Sequence, residues 1–127
     1  MYYKRQEAFR YTFVQSIPAI CEVFQSTGSQ EKQKVQSFGA SILNISPNGL
    51  KAASKSNIEI KDDQVLVFSF QLAATLISFP GKIVRKRLAG ADEFHYSIQS
   101  DGNETLKNQI IASLKIHTKE QLKKSKC

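Results

Sequence analysis

The sequence predicts a mainly β protein: a six-stranded antiparallel β-barrel with a basic N-terminal arm and one C-terminal α-helix. Three observations carry that expectation. Short runs rich in β-branched and aromatic residues recur from Ala19 to Gln99. Segments with turn chemistry, rich in Gly, Asn, Asp or Ser, separate several of them. After Asn103 the apolar spacing changes from alternation to the helical pattern Leu106, Ile110, Ile111, Leu114.

Each element has its own local reason. Lys4-Arg5-Gln6-Glu7-Ala8-Phe9-Arg10-Tyr11-Thr12-Phe13 is basic and aromatic without a clean period, so it reads as an extended arm. Ala19–Phe24, after Pro18, is the first strand. Ser26–Lys34 is polar and holds Gly28, which makes it a loop or hairpin turn. Val35–Ile45 then alternates Phe38, Ala40 and Ile42 on one face. Ser46-Pro47-Asn48-Gly49 is a tight turn, because proline presets φ and Asn-Gly tolerates positive φ, and Leu50 reopens a strand behind it. Ile58-Glu59-Ile60 alternates, Asp62-Asp63 turns, and Val65–Phe70 is densely β-prone. Two more strands, Thr75–Leu88 and Glu93–Gln99, flank the turn Ala89-Gly90-Ala91-Asp92. Asn103 is a good N-cap and Glu104 suits the first helical turn. The expected organisation is one domain over residues 1–127: arm 1–13, barrel 14–100, helix 103–122.

A chain of 127 residues with 41% hydrophobic content can close one core and not two. No apolar run approaches the length that crosses a bilayer, and Gln6-Glu7 follow the opening residues where a signal core would be apolar, so a soluble, cytoplasmic protein is expected. Cys21 lies in an apolar stretch and Cys127 ends a charged tail, a poor pairing for a structural disulfide. Eighteen basic against eleven acidic residues give a net charge of +7, which favours anionic partners without choosing among them. Lys107, Lys115, Lys119, Lys123, Lys124 and Lys126 fit a solvated helix face.

The sequence contains no HExxH, GxSxG, GxxxxGK[ST] or paired CxxC motif. His95 and His117 lack a carboxylate or cysteine arrangement suited to catalysis or zinc, and they read as surface histidines. Asp62-Asp63 and Asp92-Glu93 fall at turns. No catalytic residue, metal site or cofactor is therefore expected. Two features remain: Arg5 and Arg10 on the arm, and Asn44-Ile45-Ser46-Pro47-Asn48-Gly49 at a strand end, where alternation points Asn44 and Ser46 to the same side. Guanidinium groups can grip phosphate or the guanine O6/N7 edge.

Together these resemble the paired signature of the PilZ domain family, a basic RxxxR arm followed thirty to forty residues later by [D/N]xSxxG. Asn44–Gly49 matches the second motif completely. The similarity runs on through Leu76-Ile77-Ser78-Phe79-Pro80-Gly81-Lys82-Ile83-Val84-Arg85 and Phe94–Gln99 into the helix, covering about residues 4–122. One position departs: with Arg10 as the second arginine, the first falls on Gln6, a neutral amide, and Arg5 lies one residue earlier. The resemblance implies a stand-alone bacterial receptor for cyclic di-GMP, not an enzyme. Its ligand-binding residues would be Arg5, Gln6, Arg10, Asn44, Ser46 and Gly49, with Asn44 and Ser46 reading guanine edges and Gly49 giving room for close approach.

The resemblance further implies that ligand binding changes the arm and signals through a protein contact, with outputs such as flagellar or exopolysaccharide machinery. A competing reading is a small basic barrel for single-stranded nucleic acid, with Lys82, Arg85, Lys86 and Arg87 along the phosphates and Tyr11, Phe13 or Tyr96 stacking on bases. A third is a degenerate PilZ-like protein-interaction domain that no longer binds the nucleotide, which Gln6 favours.

Overall fold

The computed structural model describes residues 10–26, 32–61 and 63–125. Six strands, β1 (Tyr11–Ser26), β2 (Lys32–Ser46), β3 (Gly49–Ser54), β4 (Gln64–Leu72), β5 (Thr75–Leu88) and β6 (Phe94–Ser100), precede one helix, α1 (Glu104–Ser125). They close an antiparallel barrel in the order β1-β2-β3-β6-β5-β4. The predicted fold class is therefore observed. Alternation fills the interior: β4 buries Leu66, Phe68, Phe70 and Leu72, and β5 buries Ile77, Phe79 and Ile83. Antiparallel order places the β2–β3 turn, the β4–β5 turn and the start of α1 at one end of the barrel.

The start of β1 and the segment at residues 58–60 differ from the sequence expectation. β1 begins at Tyr11, so the last three residues of the expected arm belong to the barrel, with Tyr11 opposite Ile45 and Thr12 opposite Asn44. The irregularity that hid the strand period is real: Phe13–Ser16 stand opposite the single residue Leu43 before pairing resumes at Ile17 and Ile42. Phe13 is buried while Val14 is 89% exposed. Leu43 is also the extra residue against β3, which lets Ile42 and Ile45, three apart, both point inward. Ile58-Glu59-Ile60 forms no strand. Ile58 is buried, while Ile60 and Glu59 are exposed, because the segment crosses the far end of the barrel and drops one side chain into it. The residue Asp62 of the expected turn, the loop at Gly28 and Cys127 lie outside the described residues.

Tyr96 secures that plug. Its hydroxyl donates to the Ser56 carbonyl (2.6 Å) and accepts from the Ile58 N–H (2.8 Å), so two otherwise orphaned backbone groups at the crossing are satisfied. Lys86 adds a lid: its Nζ donates to Asn57 Oδ1 and to the Ile58 carbonyl, and lies over the Phe94 ring.

At the other end α1 continues where β6 stops. Asn103 caps it, accepting the Leu106 N–H on its side chain (3.0 Å), and the helix runs to Ser125, three residues beyond the expected 122. Leu106, Ile110 and Leu114 join the core, whereas Ile111, expected on the same face, is turned outward at 36% exposure. His117 is half-buried. Its ring sits edge-on to Tyr11 and Phe13 at 5.4 and 5.3 Å and ties the helix to β1.

The β4–β5 hairpin turns on Ala73 and Ala74, at φ 52° and 68°, a left-handed pair that alanine adopts only at a cost. Replacing Ala73-Ala74 with Asn-Gly is expected to raise stability by about 1 kcal/mol, seen as a higher urea midpoint at unchanged slope.

Cys21 is fully buried, and burial, with the neighbouring Glu22, pushes its thiol up from 9.0 to about 12. The folded state thus keeps a proton that the unfolded chain releases above pH 9. The thiol's contribution is complete below pH 9 and is lost as pH rises toward 12. The stability gap between wild type and Cys21→Ala is expected to narrow over that window, by up to about 1.4 kcal/mol per pH unit, in urea titrations from pH 8 to 11.

Candidate ligand-binding site

The Asn44–Gly49 motif forms the end of β2, its turn and the start of β3. Ser46 and Gly49 are cross-strand partners, and the Ser46 hydroxyl locks the turn. It accepts the Gly49 N–H at 3.1 Å and contacts the Gly49 carbonyl as donor at 3.2 Å. Ser46 is buried to 6% exposure, so both capacities of its hydroxyl are spent on the backbone of the motif itself. It shares the outward face with Asn44, as alternation requires, with Ile45 between them in the core.

Gly49 is glycine for a reason other than the one its turn chemistry suggests. Among the described residues, left-handed φ occurs at Ala73, Ala74 and Gly102, and neither Asn48 nor Gly49 adopts it. A Cβ at Gly49 would instead meet the Ile98 carbonyl oxygen of β6 at 2.6 Å. The motif glycine lets β3 lie tight against β6, which carries the wall of the site.

Around this turn opens a cleft of about 680 Å³. Ser46 and Gly49 line one side, Ser97 and Gln99 of β6 another, and Asp101, ahead of α1, and Lys107, on its first turn, a third. Arg10 also lines it. Its Nη1 donates to Asn44 Oδ1 at 2.7 Å, a bond in an exposed setting that joins residues 34 apart in sequence. The two halves of the predicted signature are thus in direct contact. The Asn48 carbonyl accepts the Ser100 N–H at 2.8 Å, which fixes the motif turn to the segment leading into α1.

Of the six residues expected to bind ligand, Arg10, Asn44, Ser46 and Gly49 come together here; Arg5 and Gln6 lie outside the described residues. Sequence reasoning missed Ser97, Gln99, Asp101 and Lys107. The outward alternation of Ser97 and Gln99 on β6 was visible, but nothing in one sequence says that β6 lies beside the motif. Among the described residues the cleft lining carries two cations, Arg10 and Lys107, and one carboxylate, Asp101. Outward-facing Lys51, Arg85 and Lys82 lie on the strands beside it. The local field therefore favours an anion.

A family model described as the PilZ domain matches residues 4–115. The chain belongs to the PilZ domain family. PilZ domains are ligand-binding receptor domains for cyclic di-GMP rather than enzymes. Two solved structures share the fold. The PilZ domain with cyclic di-GMP of YcgR from Escherichia coli aligns at a TM-score of 0.63 and 13% identity, over 97% of this chain and 98% of that one. The PilZ domain of CeSA from a cellulose-synthesizing bacterium aligns at 0.54 and 15% identity, over 90% and 99%. No curated protein sequence matches the chain.

Of the basic groups suggested for nucleic-acid binding, Lys82, Arg85 and Arg87 share the outward face of β5 and Lys86 does not. Lys86 points to the barrel end and is engaged there, while Arg85 and Arg87 face outward. Phe13 and Tyr96 are buried, and Tyr11 packs on Phe13 and His117, so these aromatics offer no stacking platform. Among the described residues no group of three or more His, Cys, Asp or Glu side chains is placed to hold a metal ion, and no helix is long and apolar enough to cross a membrane.

Gly49→Ala is expected to lower stability by about 1–3 kcal/mol, because the new methyl meets backbone that cannot step aside. Gly39→Ala, where a Cβ meets nothing within 4 Å, is the control and is expected to leave the urea midpoint within ~0.5 kcal/mol of wild type.

Proposed function

We propose that this PilZ domain binds cyclic di-GMP in the cleft beside the Asn44–Gly49 turn, changes the conformation of its N-terminal arm, and signals through a protein contact in a bacterial cytoplasm. The observation that carries the proposal is the direct Arg10–Asn44 contact at the rim of a cation-lined cleft. Cyclic di-GMP has two phosphates and two guanines, so it needs cations and base-edge partners within one span. Arg10 supplies a fork of donors for phosphate or the guanine O6/N7 edge. Asn44 carries both a donor and an acceptor for a base edge once Arg10 turns to the ligand. Ser46 and Gly49 hold the strand end that presents Asn44, and the twice-locked turn gives that half of the site its rigidity.

The function follows from a change of partners rather than from bond chemistry. In this structure one of the Arg10 donors is given to Asn44. A phosphate offers a charged acceptor in its place, and the arm follows its arginine. That rearrangement presents a new surface to a protein partner.

Isothermal titration of the protein with cyclic di-GMP, with GTP and single-stranded DNA as comparison ligands, tests the reading. Binding of cyclic di-GMP well above both is expected. Arg10→Ala is expected to weaken it about 10- to 100-fold, as loss of a charge-assisted contact does. Gln6→Arg, which completes the two-arginine signature, is expected to tighten it. Absence of cyclic di-GMP binding in the wild type would leave a PilZ domain that serves protein contacts alone.

A further inference from the structure

The cleft holds one cation that neither signature motif accounts for. Lys107 lies on the first turn of α1, across the cleft from the motif turn, and lines the same space as Arg10, Ser46 and Gly49. Its side chain is 29% exposed, whereas Lys115 and Lys119, further along the helix, are exposed. Its ammonium has a loose partner in Glu104 Oε2 at 3.8 Å, a carboxylate that is itself 77% exposed. Such a pair contributes little and yields readily to a better acceptor. The covered stem and loosely held head describe a lysine packed along the cleft wall with its charge free to move into the opening.

We propose that Lys107 is a second phosphate-binding residue of this site, gripping one phosphate of cyclic di-GMP while Arg10 takes the other. The inference rests on the cyclic di-GMP reading above. A ligand with two phosphates brings two negative charges into the cleft, and among the described residues that line it the cations are Arg10 and Lys107. Position 6 of the arm, four residues before Arg10, contributes no charge because it is glutamine. Asp101 lines the cleft as well and opposes an anion nearby, which makes a second cation on that wall the more necessary. Its Oδ1 accepts the Asn103 N–H at 3.1 Å, so part of that charge is already committed to the backbone.

The position of Lys107 has a consequence for output. With one phosphate on Arg10 and the other on Lys107, the ligand bridges Arg10, just ahead of β1, to α1 at the same barrel end. The backbone bond from Ser100 to Asn48 already joins the motif turn to the segment before the helix, so the ligand completes a closed circuit of Arg10, turn and helix.

The test is a titration of the full chain with cyclic di-GMP at two salt concentrations, using wild type, Lys107→Met, Lys107→Arg and Lys115→Met. Methionine keeps the apolar stem and removes the charge. Expected are a 5- to 30-fold loss of affinity and a flatter salt dependence for Lys107→Met, with Lys107→Arg within about threefold and Lys115→Met within about twofold of wild type. If Lys107→Met binds as Lys115→Met does, the assignment is wrong while the receptor reading stands. If wild type itself binds no cyclic di-GMP, the receptor reading fails and this inference with it. Thermal melts accompany each titration, and should Lys107→Met be unfolded, Lys107→Gln takes its place with the same two outcomes.

Discussion

The constraint on which the rest of this structure depends is the tight seat of β6 between β3 and β5. On one side a Cβ at Gly49 would meet the Ile98 carbonyl oxygen at 2.6 Å, and on the other a Cβ at Gly81 would meet the Gln99 carbonyl oxygen at 2.6 Å. Gly81 is also where β5 changes partner, pairing with β4 before it and with β6 after it. A glycine at such a corner lets one strand serve two neighbours and lets the sheet close. The same seating sends Ile98 into the core and leaves Ser97 and Gln99 as a wall of the cleft. Barrel closure and site construction are therefore one packing event.

Much of this was legible from residues alone, because the relevant physics is local. Alternation on β4, the Pro47-Asn48 turn and the Asn103 cap each specify a short stretch without help from the rest of the chain. What escaped is non-local or locally miscoded. Ala73-Ala74 has no turn chemistry and is forced into a left-handed hairpin by the strands it joins. The bulges at Leu43 and Val84 shift the alternation by one residue, and only the partner strand reveals them. Ile58 looked like part of a strand because it alternates with a charged neighbour, yet its burial comes from plugging a barrel end.

The site shows the same division. Its motif was readable, but the roles inside the motif needed coordinates. Ser46 and Gly49, both expected beside the ligand, shape the strand end through bonds and contacts to backbone. Asn44, with its side chain turned outward, is held by Arg10 from a distant part of the chain. Lys107 was read with the solvated lysines of the C-terminal helix, since a single sequence does not tell which helix face meets the cleft. The fold brings β6 and the first turn of α1 to the motif, and that neighbourhood is a property of strand order, not of spacing.

Rigid and movable parts of the site follow from the strength of the bonds that hold them. The motif turn is closed twice through Ser46, pinned to Ser100 through Asn48 and buried against β6, so displacing it exposes several unsatisfied backbone groups at once. Arg10 is exposed and rests on a side-chain bond to Asn44, an interaction that water competes with. An incoming polyanion meets a fixed edge and a cheaply released guanidinium. Under the proposed reading, a ligand displaces Arg10 before it displaces the motif turn, because the turn has more bonds to lose.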